Sequence, residues 1–342
     1  MNVVAEKIQE QLAVDEADAI LCQSIFGSVD PVEISDMIAD TLRAGLGTTP
    51  DSVLLLEFSV GAAIGIQTAD DRRVFLKYIT DRTLEELHGI SAFIGHLKEN
   101  GFPCPKMLAE PMVAGSTVVL LLEYVDHGRF RDASVPAYRR QIAVHLWRLH
   151  DLSTSFANDS AELLRVDDDH QGPLWPRPHN ALFDFGRNQD RAAWLDDIAS
   201  AARRIVGQAM PEEVPIISHS DWSAKHFRFD GHGRVTTIYD WDSIMRTGEF
   251  RTLGRALATH LYNWYVPMKT MIASRSQMEA FLHDYEDERG SPLSDQGRMG
   301  VSAQACFTLC YVAKCKYSLD ADEADRSDEA SMLRRSRSGR LF

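Results

Sequence analysis

The spacing of apolar residues predicts a helical segment followed by a small sheet. Residues 5–25 repeat apolar side chains at helical intervals, and a second helix begins after the N-cap residue Asp30 and ends at Gly47. Three short apolar segments then predict antiparallel strands joined by turns: 52–58, 64–67 and 74–79. We expect residues 1–50 to pack on this sheet. The alternative is that the apolar face of residues 1–50 forms a contact between two copies of the chain.

The remainder of the chain is predicted to be mainly helical. A helix at 83–98 leads through the proline-containing turn 101–105 to a strand at 117–125, and one more strand is predicted at 214–218. Five further helices are expected: 135–152, 189–208, 253–271, 277–289 and 304–317. After residue 320 the composition becomes charged and small, which predicts a mobile tail.

Length and composition limit the class of protein. A chain of 342 residues can form two substructures, and its formal net charge of −14 argues against general binding to nucleic acid. Five cysteines without framework spacing argue against a disulfide scaffold and favour a cytoplasmic location. The apolar runs are too short to cross a bilayer, and no secretory signal is recognisable, so no membrane partner is expected.

The stretch 217–243 contains two acidic segments separated by a hairpin pattern. The turn sequence Asp230–Gly233 lies between two short strand-like segments. A hairpin brings its ends together, so Asp221 and His226 are expected to lie close to Asp240. Two carboxylates and an imidazole suit a divalent cation and a general base.

The same residue types allow another interpretation. A lone His-x-Asp motif is common and by itself says little about function. Together with His219, the residues Asp221 and His226 could form a zinc or iron site, because histidine and carboxylate are ordinary ligands of transition metals.

The order of these motifs resembles the kinase-like phosphotransferases, in the branch that contains aminoglycoside phosphotransferases and choline kinases. That family carries H-G-D-x-x-x-x-N, a strand hairpin, and then I-D-W or I-D-F. Here the strings are His219-Ser220-Asp221, four residues, His226, and then Tyr239-Asp240-Trp241. His226 replaces the usual metal-binding asparagine, as in the macrolide phosphotransferases of the same superfamily.

The resemblance implies an α+β, bilobal kinase-like fold, with a small antiparallel-sheet N-lobe and a larger, mainly helical C-lobe. The expected division is a helical N-terminal extension at 1–50, an N-lobe at 51–126, a C-lobe at 127–319 and a tail at 320–342. The long segment 153–187, which includes the acidic run Asp167-Asp168-Asp169, is expected to shape the acceptor pocket.

The resemblance also assigns roles to individual residues. Asp221 is implied to be the catalytic base. The implied metal ligands for Mg²⁺, or alternatively Mn²⁺, are His226, Asp240 and Asp242. The implied nucleotide-binding residues are Lys77 for phosphate, Glu86 as its brace, and Glu123, Tyr124 and Val125 at an adenine-binding hinge. The candidates for the acceptor side are Trp175, His179, Asp184 and Glu249.

The implied function is an ATP- or GTP-dependent phosphotransferase that acts on a hydroxyl group of a small molecule. An aminoglycoside, a macrolide or an amino sugar would fit, and the negative net charge is compatible with a cationic acceptor. The alternatives are a catalytically silent kinase fold used for binding and a metal-dependent hydrolase. The chain is expected to act as a monomer or a homodimer. A free imidazole protonates at about pH 6.5, so the histidine in the asparagine position predicts metal-dependent activity that falls on acidification.

Overall fold

The computed structural model describes residues 3–156, 159–167, 171–336 and 339–342. Its contacts divide the chain into two compact units. The first comprises Met1–Asp126, Asn158–Leu164 and His179–Leu182, and the second comprises His127–Ala157, Arg165–Pro178 and Phe183–Phe342. The first contains a small antiparallel sheet and the second is mainly helical, which confirms the predicted α+β class.

The first unit begins with three helices: α1 (Val3–Leu12), α2 (Glu16–Phe26) and α3 (Pro31–Leu46). The single helix expected over 5–25 is therefore two. The break occurs where the Asp15 side chain accepts a hydrogen bond from the backbone of Ala17 and so caps a new helix. The predicted ends of α3 are confirmed, because Asp30 caps it and Gly47 follows it with a left-handed φ of 67°.

Five strands form the sheet of the first unit: β1 (Pro50–Phe58), β2 (Ala62–Thr68), β3 (Arg73–Ile79), β4 (Met112–Ala114) and β5 (Thr117–Glu123). Their order is β1-β2-β3-β5-β4, and every neighbouring pair is antiparallel. Helix α4 (Leu84–Glu99) follows β3. Lys77 lies on the central strand β3, paired with Ala63 of β2 and Leu120 of β5. The sheet therefore fixes its backbone on both sides.

One apolar core joins the N-terminal helices to this sheet. The helices contribute Val4, Ile8, Ile34, Ile38 and Leu42, and the strands contribute Ile64, Ile66, Leu76, Val119 and Leu121. The buried hydroxyl of Tyr78 donates a hydrogen bond of 2.9 Å to Thr41, which links β3 to α3. Each buried aliphatic side chain contributes about 1.5–3 kcal/mol to the free energy of unfolding. The predicted packing of residues 1–50 on the sheet is thus confirmed.

The second unit contains eight helices among its described residues: α5 (Pro136–Ser155), α6 (Gln189–Ala192), α7 (Trp194–Ala209), α8 (Glu249–Thr259), α9 (Arg275–Arg289), α10 (Asp295–Leu319), α11 (Ala321–Arg326) and α12 (Asp328–Arg335). It also has two antiparallel strand pairs. The first joins β6 (Pro215–His219) to β9 (Ile244–Gly248), and the second joins β7 (Phe227–Phe229) to β8 (Val235–Ile238). No helix in the described part of the chain is both long and apolar enough to cross a bilayer.

The predicted helix at 253–271 differs from the structure at both ends. Helix α8 begins at Glu249 and ends at Thr259. The aromatic residues at 262–265 lie in the irregular segment that follows, and Pro267 cannot continue a helix because its ring removes a backbone donor.

The segment after residue 320, for which the composition predicts a mobile tail, forms two helices in the structure. Asp320 caps α11 and Ser327 caps α12. Ala330 and Leu333 are fully buried, and buried Glu329 forms an ion pair of 2.8 Å with Lys316 of α10. Despite its charged composition, α12 is an amphipathic, capped helix that packs against α10.

Two glycines of α4 provide a matched test of packing in the first unit. A Cβ atom at Gly89 would lie 2.9 Å from the carbonyl oxygen of Ser160, whereas one at Gly95 would meet nothing within 4 Å. We expect Gly89→Ala to lower the free energy of unfolding by about 1–3 kcal/mol through overpacking. Gly95→Ala should raise it by about 0.5–1 kcal/mol, because alanine favours the helix. Urea unfolding of both variants measures this, and effects of the same sign would contradict it.

Candidate active site

Strand pairing brings the two acidic segments of the second unit together. The backbone N–H of Tyr239 donates to the carbonyl of His226 at 3.0 Å, and the N–H of Ser220 donates to the carbonyl of Ser243 at 3.0 Å. The loop after β6 and the loop after β8 are therefore joined at both ends. Strand β9, which was not predicted, pairs with β6, and the contact between Ser220 and Ser243 lies one residue beyond that pairing.

Asp221, His226 and Asp240 form one cluster, as the hairpin pattern predicts. One potential ligand atom from each residue lies within 4.8 Å of the other two. The Nε2 atom of His226 lies 3.2 Å from Oδ2 of Asp221 and 3.7 Å from Oδ2 of Asp240. Asp242 is not a member of this cluster in the described structure; it follows on the short 3-10 helix Trp241–Ser243.

The Asp221 carboxylate is ionised and accessible. Burial raises its pKa, but the ammonium of Lys225 at 2.8 Å and the ring of His226 outweigh burial and hold the pKa well below its usual range. The Ser223 hydroxyl donates a further hydrogen bond of 3.2 Å to Oδ1. Since the side chain is 35% exposed, a small acceptor can reach it.

His219 connects the two acidic segments without being part of the cluster. Its Nδ1 atom accepts a hydrogen bond of 3.2 Å from the backbone N–H of Asp221, and its Nε2–H donates to the carbonyl of Tyr239 at 3.1 Å. Burial lowers the pKa of His219 to about 4, so the ring is neutral, as these hydrogen bonds require. With both ring nitrogens engaged, His219 cannot be a ligand of the zinc or iron site considered above.

Asp240 is held in an unusual backbone conformation. Its φ of 70° lies in the left-handed region, which aspartate tolerates better than most residues. The hydroxyl of Ser243 donates to its Oδ2 atom at 3.3 Å. This geometry turns the chain sharply after β8 and directs the carboxylate toward His226.

The cluster fits a divalent cation. Mg²⁺ prefers carboxylate oxygens and retains several waters, and Mn²⁺ accepts imidazole as well as carboxylate. The Nε2 atom of His226 faces both carboxylates at hydrogen-bond range or slightly beyond it, so a cation could replace a proton at this point. Two oxygens and one nitrogen leave the other coordination positions to water and phosphate.

Residues predicted to bind nucleotide lie in the first unit. Lys77 is buried on β3. The Glu86 carboxylate accepts a hydrogen bond of 2.8 Å from the N–H of Thr83 and lies 3.8 Å from the guanidinium of Arg82, so it caps the start of α4. The bracing of Lys77 by Glu86 stays a prediction.

The predicted hinge begins at Glu123, the last residue of β5. The N–H of Glu123 donates to the carbonyl of Lys106, and the N–H of Tyr124 donates to the carbonyl of Arg73. The Arg73 guanidinium lies 4.9 Å from the centroid of the Tyr124 ring and forms two hydrogen bonds, of 2.9 and 2.7 Å, with Asp126. On β2, a Cβ atom at Gly65 would lie 2.4 Å from the Tyr124 ring. These contacts order the segment, and adenine binding by Glu123, Tyr124 and Val125 stays a prediction.

Glu249 has a structural position instead of a place in an acceptor wall. It is 2% exposed, forms an ion pair of 2.8 Å with Arg289 and accepts a hydrogen bond of 2.8 Å from the Tyr285 hydroxyl. That hydroxyl also contacts His150, whose other ring nitrogen contacts Ser218 on β6, each at 2.8 Å. The network supports β6, the strand that leads to Asp221.

The other acceptor candidates are dispersed. Trp175 donates a hydrogen bond of 2.8 Å to Asp196 and stacks on Phe307, within the second unit. Asp184 accepts from the N–H of Gly186 in an exposed turn. His179 belongs to the first unit. Of the acidic run, Asp167 is buried against Arg251 and Arg255, whereas Asp168 and Asp169 lie outside the described residues.

Lys225 is a site residue that the motif pattern does not reveal. It lies between Asp221 and His226 in sequence, at a position that carries no family signature. Only its side-chain direction, which follows from the short 3-10 helix Ala224–His226, places the ammonium on the Asp221 carboxylate.

Comparison with known proteins agrees with this geometry. Residues 65–288 match the model of the phosphotransferase enzyme family. The chain belongs to this family. It is therefore a phosphotransferase of the small-molecule kinase type, as the motif order predicts. No curated protein matches the chain in a sequence search.

Solved structures share the fold at low sequence identity. The amicoumacin kinase hAmiN, in complex with AMP-PNP, Ca²⁺ and Ami, is 14% identical, with a TM-score of 0.63 over 88% of this chain and 91% of its own. The spectinomycin phosphotransferase APH(9)-Ia, in complex with ADP and spectinomycin, is 14% identical, with a TM-score of 0.53 over 88% and 93%. The choline kinase LicA from Streptococcus pneumoniae is 14% identical, with a TM-score of 0.51 over 90% and 98%.

The structural role of Glu249 can be tested separately from catalysis. Glu249→Ala leaves the Arg289 charge without this partner in a largely buried place, and we expect the free energy of unfolding to fall by about 3–5 kcal/mol. Glu288→Ala, which removes an exposed acid from the same region, should change it by less than about 0.5 kcal/mol. Chemical denaturation measures both. A stable Glu249→Ala protein with an altered acceptor KM would instead support a role in acceptor binding.

Proposed function

We propose that this protein transfers the γ-phosphoryl group of ATP, or of GTP, to a hydroxyl group of a small molecule. The observation that carries the proposal is the cluster of Asp221, His226 and Asp240, which sets an ionised, accessible carboxylate beside a site for a divalent cation. Membership of the phosphotransferase family supports it. The solved relatives bound to AMP-PNP and ADP support a nucleotide donor.

Asp221 has the position and charge to orient the acceptor. As the acceptor oxygen bonds to the γ-phosphorus, the bond from that phosphorus to the β,γ-bridging oxygen breaks and the nucleoside diphosphate leaves. The hydroxyl proton passes to Asp221 and then to water. Because the pKa of Asp221 is low, the carboxylate is a weak base, and it takes up the proton late in the transfer. Its main contribution is the alignment of the hydroxyl.

Asp240 and His226 are proposed to hold Mg²⁺ or Mn²⁺, and Asp242 to orient a water of the hydrated ion. Bound there, the cation would supply positive charge to the nucleotide phosphates. Lys77 is proposed to bind phosphate oxygens, with Glu86 as its brace, and the backbone of residues 123–125 to bind the adenine ring.

The acceptor is proposed to be an alcohol-bearing natural product or metabolite. The solved relatives are named for amicoumacin, spectinomycin and choline, which differ in size and charge. Acceptor pockets vary widely within one fold, so an aminoglycoside, a macrolide and an amino sugar all belong in a screen. We propose that the reaction takes place in the cytoplasm.

An acceptor screen that measures nucleotide consumption and phosphorylated product tests the function. Asp221→Asn keeps the size of the side chain but removes its charge, and kcat should fall about 10²–10⁴-fold. Asp151→Asn, an exposed change on α5, is the matched control and should retain full activity. Lys77→Met should raise the nucleotide KM.

Each negative result has a distinct meaning. Nucleotide binding without transfer to any acceptor would favour a silent kinase fold. Phosphate release that survives Lys77→Met would favour a metal-dependent hydrolase.

His226→Asn tests the metal assignment. An amide oxygen is a harder ligand than an imidazole nitrogen, so the ratio of the rate with Mn²⁺ to the rate with Mg²⁺ should fall several-fold, to about a third of the wild-type ratio or less. Steady-state rates over a range of each metal concentration measure this ratio. An unchanged ratio would show that His226 does not bind the ion.

A further inference from the structure

The catalytic carboxylate already has a cationic partner of its own. The Lys225 ammonium lies 2.8 Å from Oδ2 of Asp221, and this is the same oxygen that lies 3.2 Å from His226. The Lys225 side chain is 14% exposed, whereas that of Asp221 is 35% exposed. The ion pair is therefore partly shielded from water, and its attraction is stronger than that of an ion pair on the surface.

Residues 260–264 hold Lys225 in this position. Its backbone N–H donates to the carbonyl of Tyr262 at 2.9 Å, and the preceding N–H of Ala224 donates to the carbonyl of His260 at 3.1 Å. The ammonium lies 4.6 Å from the centroid of the Trp264 ring, a cation–π distance. Backbone and side chain are thus anchored by one segment, so the ammonium is pre-positioned beside Asp221.

This arrangement affects how a cation can bind the cluster. The ligand atoms of Asp221, His226 and Asp240 are close enough to bind one ion together, and Lys225 is the group that competes with such an ion for Asp221. An ion bound by Asp221 would draw electron density from the carboxylate that must accept the acceptor proton. An ammonium on Oδ2 occupies the oxygen that faces His226 and repels a divalent ion from this side of the cluster.

We propose that Lys225 is a positioning residue that divides the cluster between two functions. It reserves Asp221 for the acceptor hydroxyl and restricts the divalent cation to His226 and Asp240. Trp264 contributes by holding the ammonium. The inference rests on the proposed function for its catalytic part, whereas its metal-binding part can be tested without turnover.

The first test is Mn²⁺ binding to the full-length protein without nucleotide, measured by calorimetry and by electron paramagnetic resonance. Lys225→Met should tighten Mn²⁺ binding about tenfold, because Asp221 becomes available as a third ligand. Lys225→Arg should restore wild-type affinity, since a guanidinium keeps the ion pair. Lys225→Gln provides a second neutral variant if the methionine variant does not fold.

A double-mutant cycle separates this mechanism from a general charge effect. If Asp221 becomes a ligand, Lys225→Met should not tighten Mn²⁺ binding in an Asp221→Asn background. If the loss of a positive charge alone is responsible, the tightening should persist in that background, which would overturn the proposal. Unchanged or weaker Mn²⁺ binding in Lys225→Met with Asp221 intact would also overturn it.

The second test is kinetic. With an acceptor found in the screen, Lys225→Met should lower kcat about 10–100-fold with little change in the nucleotide KM, and Lys225→Arg should recover most of it. Lys314→Met is the matched control, because it removes a buried ammonium that lies 5.4 Å from the Trp175 ring and should leave kcat unchanged.

The two levels of proposal fail in different ways. Absence of transfer by the wild-type protein would refute the proposed function, while the Mn²⁺ measurements would still decide the role of Lys225. Full kcat in Lys225→Met, in an enzyme that Asp221→Asn inactivates, would refute the role of Lys225 alone.

Discussion

The candidate active site depends on the backbone hydrogen bonds that join the loop after β6 to the loop after β8. These bonds bring the carboxyl groups of Asp221 and Asp240 within 4.8 Å of each other, at an electrostatic cost. Neutral His219 adds to the connection by bridging the N–H of Asp221 and the carbonyl of Tyr239. The repulsion is reduced by Lys225 on one carboxylate and by His226 between them.

Other hydrogen bonds of the second unit fix strand β6, which leads into the first of these two loops. A chain of hydrogen bonds leads from Arg289 through Glu249, Tyr285 and His150 to Ser218, which lies on β6 shortly before Asp221. Such a network fixes the strand because each buried polar group needs its partner. In the first unit, backbone pairing takes the place of such a network. The five-stranded sheet holds the backbone of Lys77 through both neighbouring strands, and the three N-terminal helices pack against the sheet.

The cluster also shows what a histidine in the asparagine position of the family motif changes. It contains one nitrogen and two carboxyl groups, and the nitrogen faces both acids. The lysine beside Asp221 then becomes important for the proposed function, because one of the three potential cation ligands is also the proposed base. The low pKa of Asp221 follows from the same arrangement, and in the proposed reaction it favours alignment of the hydroxyl over proton abstraction.

The sequence by itself determined the elements whose signals are local: four of the five strands of the sheet, the cap at Asp30, the hairpin between two acids, and the motif order that identifies the family. Tertiary structure decided what depends on contacts between distant residues. It placed Glu249 in a buried ion pair, formed β9 opposite β6, packed the charged segment after Asp320 on α10, and anchored Lys225 on residues 260–264. The physical reason is that hydrophobic period and capping act over a few residues, whereas the partner of a buried charge is chosen by the packing of the whole unit.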